Sequence, residues 1–182
     1  TRLTCHDSWD EVQCWTRDGS EILFTSRRDT LDYELFSVDA EGGMPYRVIR
    51  DRANNPAVSP DGRWIAYVRG RTSWWRKHYR GSASRDIWIR AIDGGTSVRL
   101  VDWAGDDDDP MWAADGRTLY FTSEREDGET NVWRLVLDMP APEESRMPRV
   151  AEGPERVTQH TEDGVQFASI SDDGTLIAYE CD

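Results

Sequence analysis

A chain of 182 residues that is 37% apolar, 10% aromatic and contains nine Trp can bury a sizeable core, which excludes a disordered class. Its 22 basic against 35 acidic residues leave a net charge of −13, which argues against nucleic acid and anionic membrane surfaces as partners. No stretch approaches the ~18 uninterrupted apolar residues of a membrane span.

The chain opens at Thr1-Arg2-Leu3-Thr4 with no Met and no signal segment, an absence that fixes no compartment, although the cytoplasm is preferred to the periplasm. Cys5, Cys14 and Cys181 are too widely spaced for a disulfide framework or a zinc site. Cys5 and Cys14 could pair, but free thiols are the expectation.

Four segments then align without gaps: Trp15 to Ser26, Val58 to Arg69, Trp112 to Ser123 and Ile170 to Glu180. Each reads as an apolar residue, two spacers, Asp-Gly, two variable residues and a short apolar run. The Asp-Gly pairs begin at Asp18, Asp61, Asp115 and Asp173, which are 43, 54 and 58 residues apart in turn. Asp-Gly between two apolar runs is a hairpin signal, because Gly takes positive φ without penalty and Asp tolerates it. The runs Ile22–Thr25, Trp64–Val68, Leu119–Thr122 and Leu176–Tyr179 are rich in β-branched and aromatic residues, as strands are.

A second pair of strands is predicted in three units. The pairs are Glu34–Asp39 with Tyr46–Ile49, Asp86–Asp93 with Val98–Val101, and Asn131–Leu137 with Arg156–Thr158. Gly42-Gly43 and Gly94-Gly95 are the expected turns in the first two. Four short strands at a period near 40–50 residues predict an all-β fold, a β-propeller of four-stranded antiparallel blades.

The units fall at about residues 5–50, 51–102, 103–159 and 160–182, the last one partial, with residues 1–4 closing a preceding blade. Residues 1–182 read as a single propeller segment, cut from a longer one of six blades and open to self-association at its blade edges. Excess length falls into two insertions expected as loops, Arg69–Arg85 and Met139–Glu155. Trp15, Trp88, Trp112 and Trp133 sit at equivalent positions and are assigned to the core.

Ser59-Pro60-Asp61-Gly62, with the closures Asp86-Ile87-Trp88-Ile89 and Arg156-Val157-Thr158, resembles TolB-like propeller repeats. Trp74-Trp75-Arg76-Lys77-His78-Tyr79-Arg80-Gly81 running into Asp86-Ile87-Trp88-Ile89 is similar to a segment of tricorn protease and its bacterial homologues, with Ser82 where a second Gly is expected. Asp109-Pro110-Met111-Trp112, Leu119–Ser123 and Asn131-Val132-Trp133 extend the likeness over nearly the whole chain. The resemblance implies part of the first propeller of a tricorn-like serine peptidase, with the peptidase portion lying beyond this chain, so no catalytic residue carries over. Its implied partners are peptides, protein partners, and the remaining blades and peptidase portion of a longer chain.

His6, His78 and His160 lack metal-ligand spacing, and no nucleophile elbow or phosphate-cradling loop is present. No cofactor is expected. Asp106, Asp107, Asp108 and Asp109 are weak calcium candidates, because adjacent carboxylates repel and lack the spaced ligands and Gly turn of a calcium loop. A solvated loop between blades is the simpler expectation for them.

The basic insertion pairs cations with aromatics, and Trp74, Trp75, Arg76, Lys77, Tyr79 and Arg80 are candidates for contact with a peptide or partner. The plainer alternative packs both Trp on the blade and pairs the cations with nearby Asp. Three functions follow: a non-catalytic propeller of a tricorn-like peptidase that frames a peptide channel and supports assembly, a TolB-like protein-binding propeller of the cell envelope, or a propeller hydrolase or lyase.

Overall fold

The computed structural model describes residues 2–73, 75–126 and 128–181, and among them there are fourteen strands and no helix. Three four-stranded antiparallel sheets follow one another as meanders. The first comprises β1 (Asp10–Trp15), β2 (Glu21–Ser26), β3 (Glu34–Asp39) and β4 (Tyr46–Ile49). The second comprises β5 (Asn54–Val58), β6 (Trp64–Arg69), β7 (Asp86–Ala91) and β8 (Gly94–Arg99). The third comprises β9 (Asp107–Trp112), β10 (Thr118–Ser123), β11 (Asn131–Asp138) and β12 (Arg149–Arg156). A two-stranded sheet of β13 (Val165–Ile170) and β14 (Ile177–Cys181) begins a fourth blade. The first strands β1, β5, β9 and β13 contact one another in succession and form the inner edge of the fan.

Each inner hairpin turns at the repeated Asp-Gly. Gly19, Gly62, Gly116 and Gly174 take φ of +71°, +72°, +66° and +70°, the left-handed conformation that an L side chain disfavours. The Asp before each Gly accepts hydrogen bonds from the backbone and hydroxyls just beyond it: Ser20 on Asp18, Arg63 on Asp61, Thr118 on Asp115 and Thr175 on Asp173. Those bonds hold the Asp18 and Asp173 carboxyls down at about 2.

Alternation along the middle strands gives each blade two buried faces. Trp64, Ala66 and Val68 of β6 and Ile87 and Ile89 of β7 join Leu119, Phe121, Trp133, Leu135 and Leu137 in one core between the second and third blades. Ile65 and Tyr67 of β6 point the other way and meet Leu23, Leu35 and Ile49 of the first blade. Met111, Val132 and Val165 form a smaller core toward the partial blade.

The structure corrects several expectations. The closing strand of the third blade is Arg149–Arg156, which falls almost wholly within the segment 139–155 expected as a loop, while Val157 and Thr158 of the expected strand lie past its end. Pairing of Trp133 with Arg156 and of Asp138 with Arg149 sets that register, and Met139 and Met147 of the connecting loop pack on the shared core. In the second blade the closing strand is Gly94–Arg99, because the hairpin turns at Ile92-Asp93 and Ala91 already pairs with Gly94.

Arg2–Thr4 forms no strand, although Arg2 Nε donates to Thr4 O as Arg156 Nε does to Thr158 O. Leu3 packs on the Phe24–Phe36 cluster. Trp112 and Trp133 are buried and Trp88 is half-buried, but Trp15 is 55% exposed. Trp112 seats against the preceding blade and donates Nε1–H to Ala57 O at 3.0 Å, whereas β1 has no described sheet before it.

Candidate functional site

The inner strands share a defect that positions the site. Register shifts interrupt pairing between Val12 and Cys14 of β1, Asn54 and Ala57 of β5, and Gln166 and Ser169 of β13; in β9 the break lies opposite Tyr120–Thr122. At these bulges Asn55, Asp109 and Phe167 have φ of 45°, 46° and 51°. Asn and Asp enter that region readily, whereas a bulky Phe there is uncommon. Aligned on Val58, Trp112 and Ile170, the three residues are equivalent, and Val12 is their counterpart in β1. A bulge re-aims side chains out of the ladder, here toward the inner edge of the fan.

A cleft of about 660 Å³ lies over this edge. Its inner-strand lining includes Glu11, Gln13, Asn54, Asn55, Asp108, Asp109, Gln166 and Phe167. Loop residues on the same side complete it, among them Arg27, Tyr33, Arg71, Lys77, Arg85 and Glu124. The Asp-Gly corners lie at the far ends of the same inner strands.

The acidic run is not a solvated loop. Asp107, Asp108 and Asp109 belong to β9, and Asp106 and Asp107 are buried. Their charges are divided among separate partners, which is why they do not converge on one point. Asp106 accepts from the Arg85 backbone N–H at 2.8 Å and pairs with its guanidinium, which also pairs with Asp108. Asp107 pairs with Arg125 at 2.7 Å. Asn55 Nδ2 donates to Asp108 at 2.7 Å and to Asp109 at 3.2 Å. Among the described residues no group of three or more His, Cys, Asp or Glu is placed to hold a metal ion.

Burial pushes the Asp107 carboxyl up to about 6 against the pull of Arg125. Burial, and then the neighbouring Asp108 charge, raise Asp109 as well, with Arg85 and Thr122 opposing. Burial also raises Glu124, whose carboxylate accepts from the His78 backbone N–H. Asp109 and Glu124, which line the cleft, are thereby held closer to neutral charge than free carboxyls would be.

The basic insertion stands at the lip of this cleft, with Arg71, Lys77 and Arg85 lining it. Trp75, Arg76 and Arg80 are exposed and Tyr79 is half-buried; Trp74 lies outside the described residues. The insertion binds across to the third blade, with Gly81 N donating to Ala104 O at 3.2 Å and Lys77 Nζ lying 3.6 Å from Glu129. Gly81 faces the Tyr79 hydroxyl, which stands 2.8 Å from where a Cβ would be, so a side chain there would displace the ring.

Glu11, Gln13, Asn55, Gln166 and Phe167 escaped the sequence reading. Asn55-Pro56 and Asp109-Pro110, three and two residues ahead of each repeat anchor, carry the signal for the bulge, and Phe167-Ala168 hides it.

Four-stranded meanders arrayed around an inner edge with a cleft over it define a β-propeller portion. The whole chain, residues 1–182, matches the family described as the tricorn protease N-terminal beta propeller domain, and it belongs to that family. It is 24% identical over 147 residues to tricorn protease homolog 1 of Streptomyces coelicolor, covering 76% of this chain and 12% of that protein. Its fold is similar to TolB from Acinetobacter baumannii, with a TM-score of 0.65, 18% identity, and coverage of 93% of this chain and 36% of the other. A crystal structure of the tricorn protease matches with a TM-score of 0.54 and 18% identity, covering 82% of this chain and 16% of that one. The chain spans about a third or less of the length of the curated relatives it matches.

Proposed function

We propose that this chain is a non-catalytic propeller portion of a tricorn-like peptidase, which frames a passage for peptides and supports the larger assembly. The carrying observation is the cleft of about 660 Å³ over four successive inner strands, lined by carboxylates, amides and cations that can hydrogen-bond an extended backbone. Repeated bulges supply its inner lining, so rigid strands, not loop tips, place Asn55, Asp109 and Phe167. Family membership supports the setting within a peptidase.

A photocrosslinking side chain placed at Gln166 tests the passage. Unstructured peptides are expected to crosslink there and not from the same group placed at Arg134, an exposed position on the third strand of the third blade. Equal labelling at both positions would sink the passage reading. Peptide cleavage by the chain itself, abolished by changing a cleft residue, would overturn the non-catalytic reading.

A further inference from the structure

The insertion between Arg69 and Arg85 divides its cations into two groups. Arg69 pairs with Asp51 at 3.5 Å, Arg71 with Asp32 at 3.2 Å, Lys77 with Glu129 at 3.6 Å, and Arg85 with Asp106 and Asp108. These ties span all three complete blades, and backbone bonds add to them: Arg71 N and Thr72 N both donate to Ala83 O at 2.9 Å. The insertion is therefore held as a fixed ridge.

Arg76 and Arg80 differ, since among the described residues neither has a carboxylate within salt-bridge distance. Each lies over a ring instead, Arg76 at 4.4 Å from the Tyr79 centroid and Arg80 at 5.1 Å from that of Trp103. A guanidinium held over a ring by cation–π attraction has its N–H donors still available to a carboxylate and loses little freedom on binding one. Beside them Trp75 is 69% exposed.

We infer that this ridge binds an acidic polypeptide segment, with carboxylates on Arg76 and Arg80 and an apolar side chain against Trp75. The inference rests on the peptide-passage reading and narrows its substrate class. Charge complementarity supports it, because a chain of net charge −13 repels an acidic segment everywhere except near a basic patch, which fixes where the segment lands. A single-stranded nucleic acid also carries anions and stackable rings, but it needs a continuous basic groove that tracks its backbone, whereas the ridge offers two separate guanidinium groups, Arg76 and Arg80.

Fluorescence anisotropy of a labelled Glu-rich peptide carrying one Phe tests this with the full chain. Binding is expected to saturate at low salt and to weaken several-fold between about 50 and about 300 mM salt. The double variant Arg76→Ala/Arg80→Ala should lose roughly tenfold in affinity and Trp75→Ala roughly threefold, while Arg134→Ala keeps it. Unchanged affinity in the double variant would overturn the proposal, as would equal binding of the peptide with Gln for every Glu, or tighter binding of oligothymidine. Equal binding of the Gln peptide with crosslinking retained at Gln166 removes the acidic selectivity and leaves the passage. Loss of that crosslinking with ridge binding intact does the reverse.

Discussion

The first and third blades carry the same charged constellation in two different settings. In the third, Arg125 pairs with Asp107, donates Nε–H to Ser123 Oγ at 2.9 Å, and lies over Phe121 and Trp133. In the first, Arg28 pairs with Asp10 at 2.8 Å, donates Nε–H to Ser26 Oγ at 3.2 Å, and lies over Phe24 and Phe36. The residues correspond one to one when Trp15 is laid on Trp112. Yet burial is outweighed at Asp10, whose carboxyl is lowered by Ser26 and Arg28, and prevails at Asp107.

The cause is the neighbour. Trp103 lies over Arg125 from the linker behind the second blade, and its counterpart before the first blade is the exposed His6. The same Asp, Ser and Arg thus give a partly hydrated pair at one end and a sealed pair between two blades. A sealed pair is costly to break because the surviving charge has no solvent to turn to.

The widest separation should come from removing the cations. Arg125→Ala is expected to lower stability by about 3 kcal/mol and Arg28→Ala by about 1 kcal/mol, read from urea unfolding. Equal losses would break the contrast between the blades. Next come the paired indoles: Trp112→Ala should cost about 3 kcal/mol through a cavity and a lost bond to Ala57, and Trp15→Ala under about 1 kcal/mol. A similar loss at Trp15 would mean that its face is covered after all.

The smallest effect concerns pH. Asp107 and Asp109 bind protons more tightly in the folded chain than in the unfolded one, where an Asp titrates near about 4. Their contribution is therefore fully present below about pH 4 and is lost as pH rises through about 6 for Asp107 and about 7 for Asp109. Asp109→Asn, which suits the left-handed backbone at this bulge, should raise stability at pH 8 by about 1 kcal/mol, leave it unchanged at pH 4, and flatten the profile between. Thermal melts at the two pH values decide it, and a variant as pH-dependent as the parent chain would show that Asp109 is not a source of the slope.

The repeat was legible because its determinants are local. Asp-Gly with a hydroxyl on one side of it sets each corner, and the β3 and β4 bounds match the runs Glu34–Asp39 and Tyr46–Ile49. What escaped depends on other blades. The strand Arg149–Arg156 is exposed and polar along most of its length, so no apolar alternation marks it; pairing with β11 creates it. The acidic run reads as a loop because four carboxylates in a row repel, and only Arg85, Arg125 and Asn55, brought from distant segments, make a strand there tolerable. Of the contact candidates, the cation–aromatic composition was visible, but which Arg were already engaged was not.

The inner-strand bulge sits apart from both packed faces of every blade, and its occupant changes from Val12 to Asn55, Asp109 and Phe167 while the surrounding sheet does not. Mutation can therefore rewrite the wall of the opening one sector at a time, from amide to acid to aromatic, without renegotiating how the blades stack.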